Sequence, residues 1–86
     1  ELGHLQHSVL AACDGVVGSI NNLQIARIAR LAGAPMDKGA GVDLHCKVDD
    51  PVEKGQTLYT IYAEFNADYN FARQAAERDN GFTISK

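Results

Sequence analysis

Few residues in this chain have the type and spacing that chemistry requires. His4, His7, His45 and Cys46 carry the imidazole and thiolate groups that zinc prefers. His45 and Cys46 are adjacent on a strand-like run and must point to opposite faces, while His4 and His7 lie beside the start of the chain, so no metal site is expected. Ser8, Ser19 and Ser85 have no histidine and acid at a spacing that suggests a nucleophilic assembly. Asp49 and Asp50 are paired carboxylates, but they fall in a turn, where charge keeps a sheet soluble rather than moving protons. The glycine-bearing stretch Gly33 to Gly41, with Lys38 inside it, invites a phosphate reading. Phosphate cradles precede a helix, whose free N–H groups converge on the anion. Here the loop follows a helix and feeds a strand, which makes it a connection or a contact surface. No set of residues amounts to an active site, a metal site or a cofactor site.

The elements that hold these residues are organised around Asn21 to Leu44. A helix over Leu23 to Ala32 is bracketed by Asn21 and Asn22, either of which can cap a first-turn amide, and by Gly33 and Pro35, which stop it. At about 100° per residue, Ile25, Ile28, Ala29 and Ala32 share one face, and Arg27 and Arg30 point away from it. The loop Met36-Asp37-Lys38-Gly39-Ala40-Gly41 then enters a strand over Val42 to Val48. Its period-two pattern sets Val42, Leu44, Cys46 and Val48 inward.

Upstream, His7 to Ala12 and Val16 to Ile20 are β-prone runs separated by Cys13-Asp14-Gly15, which predicts a hairpin. Gly18 inside the second run marks a bulge or a close backbone approach. Downstream, Asp49 to Gly55 reads as a solvated turn and Thr57 to Ala63 as a strand beside the preceding one. A second helix over Ala67 to Asp79, capped by Asn66, has Tyr69, Phe71, Ala72, Ala75 and Ala76 as its apolar face. Phe82 to Ile84 forms a last strand. The order β-β-α-β-β-α-β predicts an α+β fold, with both helices on one side of a mainly antiparallel sheet.

The 86 residues, 45% hydrophobic, suffice for one small domain that buries roughly 60 to 65% of its unfolded surface. The chain opens Glu1-Leu2-Gly3 with its only methionine at Met36, which predicts a piece of a longer protein. Eight basic against eleven acidic residues, without a Lys/Arg cluster, argue against nucleic acid as a partner. No apolar run approaches the roughly 20 residues that span a bilayer, so no membrane partner is expected and a cytoplasmic location is. Cys13 and Cys46 are expected as reduced, structural thiols.

Three stretches taken together resemble a known family. They are Ala12-Cys13-Asp14-Gly15-Val16-Val17, the run from Ile25 through Ala32-Gly33-Ala34-Pro35-Met36-Asp37-Lys38-Gly39-Ala40-Gly41 to His45, and Val52-Glu53-Lys54-Gly55-Gln56-Thr57-Leu58 through Ala63. The chain is similar to the C-terminal domain of the thymidine and pyrimidine nucleoside phosphorylases. The form of the loop most resembles the archaeal branch, known as AMP phosphorylase or "putative thymidine phosphorylase". The resemblance implies an α/β-hammerhead related to barrel-sandwich hybrids. It implies a parent pentosyltransferase that splits a nucleoside or a nucleoside 5′-monophosphate with inorganic phosphate. In that family the phosphate-binding and base-binding residues lie in preceding domains, so none is carried onto this chain.

What this segment would contribute is assembly: packing on the parent's catalytic domains and building a homo-oligomer. The expected contact surface is Arg27, Arg30, Gly33, Asp37, Lys38, Gly39 and Gly41, because these residues are polar, adjacent and dispensable to the core. The alternative is a biotinyl or lipoyl carrier, since Asp14-Gly15-Val16-Val17 and the Glu53-Lys54-Gly55 stretch also resemble that related barrel. A carrier needs a lysine on the hairpin after the strand that begins at Thr57. That strand runs into a helix with no lysine, and Lys38 comes before it. A free-standing interaction module is the remaining possibility.

Overall fold

A computed structural model describes residues 4–86. In chain order its elements are β1 (Leu5–Leu10), β2 (Gly15–Ile20), α1 (Asn22–Ala32), β3 (Gly41–Leu44), β4 (Pro51–Val52), β5 (Thr57–Ala63), α2 (Asn66–Arg78) and β6 (Phe82–Ser85). The fold is α+β, and its described strands make two antiparallel three-stranded sheets, β1-β5-β3 and β4-β2-β6, rather than one. The short β4, read from sequence as a solvated turn, is the added element in the order. Two residues are too few to show a period, and Pro51 can sit there because β4 is an edge strand.

Burial along β5 explains the layering. Leu58, Tyr59, Thr60 and Ile61 are consecutive and all buried, so the strand is covered on both faces. Both helices pack on this sheet, α2 against β1 and β5 and α1 against β3 and β5. Val17 of β2 and Val52 of β4 belong to the same buried cluster as Leu58 and Ile61, so the second sheet completes that core. As expected, β3 is the neighbour of β5, and Gly18 coincides with a shift in the β2–β6 register. A Cβ on Gly18 would lie 2.8 Å from the Ser85 hydroxyl, which is the close approach that glycine permits.

The Asp14-Gly15 hairpin does not form. β1 pairs with β5 and β2 pairs with β4 and β6, so the turn hands the chain from one sheet to the other. Its aspartate is used differently: Asp14 Oδ1 accepts the Lys54 amide at 2.6 Å, fastening this corner to the turn before β5. The long third strand is also shortened. Regular pairing ends at Leu44, and His45 adds one further amide bond to Leu58 O at 2.9 Å. Lys47 N then donates to Asp50 Oδ2 at 2.9 Å and turns the chain. Leu44 and Val48, expected inward, are 43% and 47% exposed; of the last inward pair only Cys46 is buried.

Candidate functional site

The first helix forms as its sequence directs. Asn21 is the cap, its Oδ1 accepting the Gln24 amide at 3.2 Å, and Gly33 closes the helix at φ +121°. Any side chain at Gly33 would meet the carboxylate of Asp37, so glycine is required there on two counts. Beyond it the loop folds back on itself. Ala34 N donates to Ala29 O at 3.0 Å, Asp37 N to Gly33 O at 2.9 Å, and Ala40 N to Asp37 O at 3.0 Å. Gly39, the one buried residue of the expected contact set, donates its amide to Glu64 Oε1 at 3.2 Å, from the segment between β5 and α2. The loop amides named here are therefore spent inside the protein rather than aimed outward at an anion. Met36, 88% exposed, and Lys38 stand at the solvent side, with Asp37 and Gly41 half-buried.

Arg27 and Arg30 are both exposed, as their helix phase requires, and of the two only Arg27 lines the groove between the helices. Arg30 stands in the last turn of α1, at the root of the loop. Arg27 instead faces α2 across an open groove of about 510 Å³ that also takes in Leu31, Phe71, Ala75, Arg78 and Asp79. The groove follows from two helical stripes, Gln24-Arg27-Leu31 on α1 and Phe71-Gln74-Ala75-Arg78 on α2, each flanking the buried face of its helix. At the far end Gln24 Nε2 donates to Asp79 O at 2.8 Å and ties the start of α1 to the end of α2.

Phe71 is the residue that sequence reasoning misplaced. Expected in the core, it is 58% exposed. Ala72 and Ala76 mark the centre of the buried face, and Phe71 lies about 100° around the helix from Ala72. The spacing of Phe71, Ala75 and Arg78, read as a stripe of its own, was the available signal. The cap of α2 was misplaced too: Phe65 stands at that position without a side-chain hydrogen bond, and Asn66 is already helical.

His45, Cys46 and Asp50 are each bonded within the domain. His45 Nε2 lies 2.9 Å from Oγ1 of the buried Thr60, while Cys46 Sγ is buried and contacts Thr57 O at 3.6 Å. The two neighbours do point apart. Cys13 and Cys46 are unbridged. Asp50 is committed to its own turn through Lys47, and Asp49 adopts φ +77°.

Residues 16–84 match the family described as the pyrimidine nucleoside phosphorylase C-terminal domain. The chain belongs to that family. A relative in Rhodopseudomonas palustris, named "Putative thymidine phosphorylase", is 51% identical over 99% of this chain and 16% of its own length. A protein of the same name in Albidiferax ferrireducens is 48% identical over 100% of this chain and 16% of its own. One in Methylococcus capsulatus, again of that name, is 51% identical over 98% of this chain and 16% of its own. The chain thus spans about a sixth of the relatives it matches. Among the described residues no helix is long and apolar enough to cross a membrane.

Proposed function

We propose that this chain is the C-terminal docking domain of a cytoplasmic phosphorylase of the thymidine phosphorylase type. The parent would be a pentosyltransferase. Inorganic phosphate attacks the anomeric carbon of a pyrimidine nucleoside, or of a nucleoside 5′-monophosphate such as AMP. The C1′–N bond breaks, the base leaves with a proton, and the sugar carries the phosphate. The observation that carries this reading is the match over 16–84 to a C-terminal domain family, within relatives about six times longer than the chain.

On this reading the bond breaking belongs to the rest of the polypeptide, and the domain supplies contacts to that catalytic part and to other subunits of a homo-oligomer. The loop from Gly33 to Gly41 and Arg30 suit such a contact. The loop is held rigid by its own backbone bonds and by Glu64, so little ordering entropy is lost when it docks. Its solvent side offers Met36 and Lys38.

The test uses the full-length enzyme. Arg30→Ala combined with Lys38→Ala should change oligomer mass, phosphorolysis of thymidine or AMP, or both. Unchanged mass and turnover would mean that this surface is idle. The 86-residue chain alone should release no base from either substrate.

A further inference from the structure

We infer that the groove between α1 and α2 is a second docking seat, and that it receives an acidic segment with an apolar tip from the catalytic part of the same longer polypeptide. This rests on the docking reading above and assigns it a surface distinct from the loop.

The apolar part of the lining is Leu31, Phe71 and Ala75, beside Gln24 and Gln74, and Phe71 is 58% exposed. A phenylalanine left open between two helices loses hydrophobic free energy unless something covers it. Arg27 and Arg78 line the same groove from opposite helices, both exposed. Among the described residues the ion pair is Arg73 with Glu77, at 3.2 Å, so neither groove arginine has a carboxylate partner. Asp79, which also lines the groove, accepts the Gly81 amide through Oδ1 at 2.9 Å and keeps its negative charge, so Arg27 and Arg78 leave the lining with one net positive charge. An aromatic anchor between unpaired guanidinium groups is the composition of an interface centre, where Phe and Arg are enriched and Lys and Glu depleted.

Charge chooses among occupants. A second copy of this chain docking the same face symmetrically would gather four groove arginines against two Asp79 carboxylates, and like charges brought together cost several kcal/mol. A small ligand would find an open trough rather than an enclosing cavity. An acidic segment satisfies both arginines and covers Phe71. Relatives of which this chain is about a sixth hold ample polypeptide to supply one.

The experiment places a photoreactive benzoylphenylalanine at Phe71 in the full-length protein, and separately at Lys38, and maps the adducts by mass spectrometry. Adducts from position 71 are expected on an Asp/Glu-bearing segment outside these 86 residues. Arg27→Glu with Arg78→Glu should lower their yield at least tenfold without changing the circular dichroism, since both residues are exposed. Adducts from Lys38 but none from Phe71 would overturn the groove and leave the docking reading standing. Adducts from neither would overturn both. Adducts from Phe71 onto α1 or α2 of another copy would overturn the acidic occupant.

Discussion

The Tyr59 hydroxyl donates to the Asn80 carbonyl at 2.9 Å, joining the middle of β5 to the turn that follows α2. The tyrosine is fully buried, and its ring lies 5.6 Å from that of Phe82. This one side chain therefore fixes the end of the second helix and the entry to the last strand. Tyr59→Phe keeps the packing and removes only the donor, leaving the Asn80 carbonyl short of a partner. A loss of about 1 to 2 kcal/mol is expected in urea unfolding, and Tyr59→Ala should cost about 3 to 5 kcal/mol through the cavity it opens.

The same residue gives the stability a dependence on alkaline pH. Burial, and secondarily the negative charge of Asp79, push the Tyr59 hydroxyl well above the usual phenol range. As pH rises the unfolded chain releases this proton first, near pH 10, while the folded chain still holds it. The contribution is therefore complete below pH 10 and declines above it, by about 1.4 kcal/mol per pH unit for one proton. Tyr59→Phe lacks this proton. The stability gap between the two proteins should be constant from pH 7 to 9 and narrow by about 1.4 kcal/mol by pH 11, measured as paired urea midpoints.

Helix capping tests how far local sequence reaches. Asn21 and Asn22 were equivalent candidates, and the structure selects Asn21 through its bond to Gln24 N. Asn21→Ala should cost about 1 kcal/mol, and Asn22→Ala far less. At the second helix Asn66→Ala should be nearly neutral, because Phe65 holds the cap position. Thermal unfolding of the three variants decides the ranking.

What the sequence made legible was local: α1 and its two ends, the β3–β5 neighbours, the bulge at Gly18 and the α+β class all follow from periodicity and glycine placement. What it hid was pairing. Asp14-Gly15 makes a turn whichever sheets its flanking strands join, and only the long-range pairing of β1 with β5 and of β2 with β4 and β6 shows that the chain changes sheet there. The groove was hidden for a related reason. A phenylalanine at the margin of a helical face reads as core until the neighbouring helix is in place, and α2 lies more than thirty residues after α1.

Gly33 couples the helix end to the loop. Gly33→Ala forces a side chain into a left-handed backbone, φ +121°, and against the Asp37 carboxylate. It should destabilise by more than about 1 kcal/mol. Since part of that cost is the collision, Gly33→Ala with Asp37→Ala should cost less than the two changes summed, by at least about 0.5 kcal/mol. Strict additivity in a double-mutant cycle would show that backbone conformation alone is responsible.

Glu64 holds the loop from outside, and its effect should be separable from global stability. Its carboxylate accepts the Gly39 amide at 3.2 Å across 25 residues of sequence, whereas the other bonds closing the loop are local backbone bonds. Removing it with Glu64→Ala should free the loop to open without unfolding the sheet. Exchange of the Gly39 amide should speed up about tenfold, while amides of β5 at Tyr59 and Ile61 keep their protection. Glu64→Gln retains an acceptor oxygen and should recover most of the protection. If Glu64→Ala instead speeds exchange across β5 by the same factor, the glutamate supports the whole sheet.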